Sequence, residues 1–348
     1  MSAPQFFKMS FESIVGNDHN KDLLQRALRN GRLPNAFIFA GPEGIGKQLF
    51  ALTLAKAINC EKLQDDSCDK CGSCHRIDKS ESIDIKIVEP EKGKAFITID
   101  AIRKVAAEAY ATPMEARRRV FIIDPADKMN AHAMNGLLKT LEEPADTSLI
   151  ILITSKPDSQ LPTIRSRSQI IRFAPLTVDQ VEGYLEAHFK RPPEDTRLLA
   201  KISGGRIGLA SSIDLSVYRE KRDEMVDVVD LLTHGKNRVK LVKLAEALGR
   251  REREEYEASL DILSSLLRDV VSLIANETSE QIANEDIRGQ LESFAHKLDI
   301  QTITIWFERI EEVRRTLRVN INRPVATESL FLNLEAQRTA SASIHRQP

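Results

Sequence analysis

Gly41-Pro-Glu-Gly-Ile-Gly-Lys47 limits the possible folds of this chain more than any other stretch. It follows the continuous apolar run AFIFA (36–40) and leads into a helical pattern over 47–59. Strand, glycine-rich turn and helix in that order is the context in which backbone N–H groups turn inward around phosphate oxygens. The helix N-terminus adds partial positive charge, and Lys47 would reach the β- and γ-phosphates. Gly41, Gly44, Gly46 and Lys47 are therefore candidate nucleotide-binding residues. The next position should be Ser or Thr, whose hydroxyl ligates Mg²⁺, and here it is Gln48. That loss argues against a competent Mg²⁺-ATP site. It leaves open nucleotide binding without hydrolysis, or a turn that binds nothing.

Further short apolar runs alternate with helical patterns through the first half. IDIKIVE (83–89) alternates like a strand, and 100–110 reads as helix. VFII (120–123) is a buried strand, followed by an amphipathic helix through Met134, Leu137, Leu138 and Leu141; 149–154 is another apolar strand. Continuous runs predict strands covered on both faces, hence a parallel α/β sheet. VFII ends in Asp124-Pro125-Ala126-Asp127. An Asp at that strand end holds Mg²⁺ in ATPases with this loop, a role Asp124 could fill. Where such a strand ends Asp-Glu, the Glu orients the attacking water, and Pro125 offers no acceptor for it. Asp127 stands three residues beyond Asp124, with its direction open. Gln48 and Pro125 independently remove hydrolytic equipment.

Beyond Phe173 strand signals stop. Short helical segments broken at Pro192-Pro193 and Gly204-Gly205 give way to a long, charged, Leu-rich helical pattern from about 216 to 335. The expected organisation is α/β followed by all-α: a core over 1–175, a small helical part over 176–214, a helical domain over 215–336, and a disordered tail over 337–348. With 50 Lys and Arg against 51 Asp and Glu, the formal charge is −1, and only 5% of residues are aromatic. Both argue against a protein that by itself grips a phosphate backbone or stacks bases. RREREEYE (250–257) reads as a solvated helix face, because its signs are mixed. The N-terminus lacks a charged-then-apolar leader, and the longest apolar run, LIILI (149–153), is far short of the roughly 20 residues that span a bilayer. The expectation is a cytoplasmic protein with no membrane partner.

The four cysteines read Cys60-x7-Cys68-x2-Cys71-x2-Cys74. In reducing cytosol such a cluster favours ligands over disulfides. Four thiolates would complete a tetrahedral zinc site with no open position, hence a structural one, in a module of about 60–80. An iron–sulfur cluster is the alternative, since C-x2-C-x2-C also begins ferredoxin-like runs. Free thiols are the bland one. His75 reads as a bystander. LPTIRSRS (161–168), after the last long strand, is a loop with two arginines that either solvate a surface or face a neighbour's phosphate.

Taken in order, GPEGIGK, the four-cysteine insert, PEKGK (90–94), IDAIR (99–103), NGLLKTLEEP (135–144) and LPTIRSRS (161–168) resemble the clamp-loader branch of the AAA+ proteins, which serves bacterial DNA polymerase III. The resemblance implies an AAA+ core with parallel sheet and inserted zinc module, a helical lid and a helical collar that assembles a pentamer. It implies that ATP-driven opening places a sliding clamp on primed DNA. The implied partners are other loader subunits of gamma/tau and delta type, the clamp, and primer-template DNA through the assembled complex. In that family Ser-Arg-Cys carries an arginine finger acting in trans, which maps to Ser166-Arg167-Ser168 with the third residue changed. Thr154 maps to the polar end of the sensor-1 strand. The lid arginine of motor subunits has no counterpart: Gly208 aligns there, with Arg206 two residues away. Gln48, Pro125 and Gly208 together favour a stator without ATPase activity of its own over an active motor-type subunit. An unrelated ATPase with the same loop is disfavoured by the shared motif order.

Overall fold

The computed structural model describes residues 9–235, 237–275, 281–317 and 321–344, with side chains to 338. Residues 1–8, part of the segment read as lacking a leader, lie outside the described residues. Among the described residues, five strands form one sheet: β1 (Ala36–Ala40), β2 (Ile85–Val88), β3 (Arg119–Ile123), β4 (Ser148–Thr154) and β5 (Gln169–Arg172). Their order is β2-β3-β4-β1-β5, and every pairing is parallel.

The continuous apolar runs mean what they suggested. β1, β3 and β4 are buried along their whole lengths. Phe37, Phe39, Val120, Ile122, Leu149 and Ile151 face one layer, and Ile38, Phe121, Ile123, Ile150 and Leu152 the other. Helices α1 (Asp18–Arg29) and α2 (Lys47–Asn59) cover the first face through Leu24, Phe50 and Leu54. After α3 (Gly72–Asp78), α4 (Ile99–Ala109) and α5 (Ala131–Glu142) cover the second through Ile102, Val105, Leu137 and Leu141. At about 25 cal/mol per Å² of buried apolar surface, this two-sided burial is the main force holding the sheet. β5 escapes the sequence reading because only Ile171 of QIIR is fully buried.

The short α6 (Pro162–Arg165) precedes β5, and α7 (Val178–His188), α8 (Pro193–Ile202) and α9 (Ile207–Ser212) follow it. Two compact units emerge. One runs to Lys190 and includes Ser203–Ser211; the other comprises Arg191–Ile202 and the residues from Ser212 onward. Within 176–214, α7 thus belongs with the sheet and α8 with the helical unit. Besides α8, that unit holds α10 (Leu215–His234), α11 (Arg238–Gly249), α12 (Arg253–Ile274), α13 (Arg288–Ala295), α14 (Ile300–Thr316) and α15 (Arg323–Ile344). Its core centres on Trp306, Tyr256 and Phe331, and the buried Trp306 indole donates to Leu334 O at 3.0 Å. Gly249 lets α11 end against α15, since a Cβ there would sit 2.4 Å from Pro324 Cα. α15 continues to Ile344, so the segment expected as a tail from 337 begins as helix; 345–348 lie outside the described residues. No described helix is long and apolar enough to cross a membrane.

Asp84, fully buried ahead of β2, braces the sheet edge. One oxygen accepts Arg119 Nε and Nη2 at 2.9 and 2.7 Å; the other accepts the backbone N–H groups of Met114, Glu115 and Ala116 at 2.8–3.0 Å. Burial alone would raise its pKa, but these donors hold it below the ordinary carboxylate range. Its contribution is therefore present above the unfolded-state pKa of about 3.9 and lost as pH falls through the lower folded value. Asp84→Asn should cost about 3–5 kcal/mol in urea unfolding at pH 7, with a smaller penalty at acidic pH.

Candidate functional site

Because β1, β3 and β4 run parallel, the segments leaving their carboxyl ends share one edge of the sheet, where α/β folds bind ligands. Gly41 N donates to Thr154 O at 3.1 Å, fastening the glycine loop to the end of β4. A Cβ at Gly41 would lie 2.8 Å from Phe173 O, and Gly46 turns the chain at φ +100° before α2 begins. Lys47 is buried, and its Nζ donates to Gly41 O and Pro42 O, both at 2.7 Å. Burial lowers its pKa, opposed by Asp124, Glu43 and Asp127. Asp124 is pushed up to about 6, chiefly by burial and further by Glu89, Glu43 and Asp127, with Lys47 opposing. Gln48 Nε2 lies 3.4 Å from Glu89 Oε1. A cavity of about 410 Å³ opens here, lined by Gly44, Lys47, Gln48, Asp124, Tyr184 and Gly208 among others. The structure thus brings Gly44, Gly46, Lys47, Gln48 and Asp124 around one cavity, with more carboxylates than cations near Asp124.

Thr154 is buried at the end of β4, with its hydroxyl already engaged: it donates to Asp127 and accepts Lys156 N–H at 2.9 Å. Asp127, whose direction the sequence left open, also takes Ser155 N–H at 2.8 Å and the Ser155 and Ser159 hydroxyls at 3.0 and 3.2 Å. Burial would raise its pKa, but the Thr154 and Ser155 hydrogen bonds outweigh that and lower it. Asp127 therefore organises the 154–159 loop. The only hint in the sequence was a second Asp in DPAD. Gly208, at the start of α9, donates its N–H to Gly44 O at 2.8 Å. Arg206 Nε turns to Ser203 O at 2.9 Å.

The SRS loop follows α6. Ser166 Oγ donates to Thr163 O at 3.1 Å. Arg167 is partly exposed, with Nη1 on Thr163 O at 3.0 Å and Nη2 on Glu142 at 2.9 Å. An exposed pair of this kind holds an arginine weakly.

The four cysteines converge as expected. Their sulfurs all lie within 4.8 Å of one another, Cys60, Cys71 and Cys74 are buried, and none of the four is in a disulfide. A tetrahedral ion with metal–sulfur bonds of about 2.3 Å needs sulfurs about 3.8 Å apart, so the set fits one metal. Backbone N–H groups already point at the sulfurs: Leu63 to Cys60 and Cys71 to Cys68 at 3.3 Å, and Cys74 to Cys71 at 3.5 Å. Burial pushes the Cys74 thiol up, and a cation bound among the four sulfurs would favour its thiolate form. His75 is exposed and outside the group.

Removing the Asp127 carboxylate strips four donors of one partner. Asp127→Ala should destabilise the protein by about 3 kcal/mol and raise amide exchange at 155–159 while β3 stays protected.

The family model described as DNA polymerase III, delta subunit matches residues 16–177, and that described as DNA polymerase III, delta subunit, C terminal matches 220–336. DNA polymerase III subunit delta' of Bacillus subtilis is 30% identical over 331 residues, covering 90% of this chain and 94% of that protein. Subunit tau of Bacillus subtilis is 28% identical over 77% of this chain, and subunit tau of Escherichia coli 33% identical over 59%. The chain spans only 48% and 32% of those two longer proteins.

Proposed function

The chain belongs to the delta' family of DNA polymerase III clamp-loader subunits, and from that premise we propose that it is the stator of its loader. It braces the ring, hydrolyses no ATP itself and lends Arg167 to the nucleotide of an adjoining ATPase subunit. The observation that carries this reading is the chemistry around Lys47: the positions that would ligate Mg²⁺ and orient water are Gln48 and Pro125. An arginine finger can be worth about 10³–10⁵ in kcat, so a subunit without turnover can still govern the rate. Thr163 O and Glu142 hold Arg167 outside the polar set around Lys47, in keeping with a residue offered outward. Residues 176–214 act as lid and 215–336 as collar in this reading. The partners are the gamma/tau- and delta-type subunits, the sliding clamp and, through the assembly, primer-template DNA in the cytoplasm.

The cysteine group holds structural zinc. Its donor set of four sulfurs leaves no position for water, so the metal fixes local structure and takes no part in chemistry. An active motor-type subunit is the second reading, favoured by the likeness of this chain to the tau proteins.

Purified alone, the chain should show no Mg²⁺-dependent ATP turnover; robust turnover abolished by Lys47→Ala would establish the motor reading instead. In the reconstituted loader, Arg167→Ala should leave assembly intact by gel filtration and sharply lower ATPase activity. An unchanged rate would remove the finger role. Elemental analysis should find about one zinc per chain; iron, or no metal, would overturn the zinc assignment.

A further inference from the structure

Lys56 lies on α2, one helical turn before Cys60, and its side chain has no solvent exposure. An isolated ammonium in such a place would be costly, so its partners explain why it is there. Nζ donates to Asp69 Oδ1 and to Asp78 Oδ1, each at 2.6 Å. Asp69 sits in the turn between Cys68 and Cys71, and Asp78 ends α3, the helix that carries Cys74. One nitrogen atom thus ties together the three chain segments that bear the four sulfurs.

Asp69 adopts φ +51°, the left-handed region that side chains other than Gly, Asn and Asp rarely occupy. Its carboxylate is fixed by Lys56, and Ser67 Oγ lies 3.0 Å from the same oxygen. The turn so fixed brings Cys71 N–H to Cys68 Sγ at 3.3 Å. Lys56 does not neutralise the thiolates, because two carboxylates already outweigh its single charge. Its effect is on geometry.

We propose that Lys56, acting through Asp69 and Asp78, is a positioning residue for the metal: it pre-forms the Cys68–Cys71 turn and docks the cysteine module onto the helix that begins at the phosphate loop. The inference rests on the zinc reading given above and extends it to three residues that touch no metal. Groups that orient ligands in this way typically change metal affinity about 10–100-fold when removed.

The test uses the full chain loaded with zinc and titrated against a chromophoric chelator, with Co²⁺ substitution to read the thiolate charge-transfer and ligand-field bands. Asp69→Asn keeps the shape and the left-handed tolerance but loses the ion pair. Lys56→Met with Asp69→Asn and Asp78→Asn removes the whole triad without stranding a buried charge. Both should stay folded by circular dichroism, release zinc at least about tenfold more readily and show altered Co²⁺ bands. Asp84→Asn, which weakens the same unit elsewhere, should leave zinc retention unchanged. Zinc affinity within about twofold of the parent in either folded variant would overturn the proposal, as would an equal loss in Asp84→Asn. A parent chain that binds no zinc would instead overturn the metal assignment beneath it.

Discussion

The parallel alignment of β1, β3 and β4 is the constraint on which the rest of the sheet-bearing unit depends. Parallel strands cannot be joined by hairpins, so each return passes through a helix that covers a face. The same alignment sends the glycine loop, Asp124 and Thr154 to a single edge although more than a hundred residues separate the first from the last. The bond from Gly41 N–H to Thr154 O records that convergence at the level of one hydrogen bond. What that edge can do chemically then depends on which side chains stand at it, since a fold does not by itself specify a function.

What stands there is a glycine-rich loop leading into α2, with Gln48 and Pro125 at the two positions where an ATPase would need a hydroxyl and a carboxylate. Lys47 is turned onto the carbonyls of its own loop, and burial together with Glu89, Glu43 and Asp127 raises the pKa of Asp124 beside it. Backbone shape and catalytic equipment are thus separable properties of one motif. The first depends on glycines and strand register, the second on individual side chains at 48 and 125.

Much of this was legible in the chain. Runs such as LIILI show two-sided burial directly, and the cysteine spacing implies convergence because two-residue intervals leave few other geometries. β5 was not legible, since an edge strand with one fully buried residue carries almost no periodic signal. Nor was Lys56: a lysine in a helix reads as solvated, and only its two partners, 13 and 22 residues away, justify burying it. Asp127 was visible as a residue but not as a hub, because its four contacts come from a strand end and a loop about 30 residues downstream. Nor was the extent of α15 legible over 337–344, where Ala, Ser and Thr give a pattern with no clear apolar stripe.

The contact between Gly208 and Gly44 also limits what position 208 can hold. A side chain at 208 would bring its Cβ to 3.0 Å from the Gly44 carbonyl, against which the helix is already hydrogen-bonded. Any larger residue there must shift the loop by a few tenths of an ångström before it can reach toward the cavity. The start of α9 and the glycine loop therefore form one rigid seam, in which bulk introduced at position 208 is transmitted directly to the backbone ahead of Lys47.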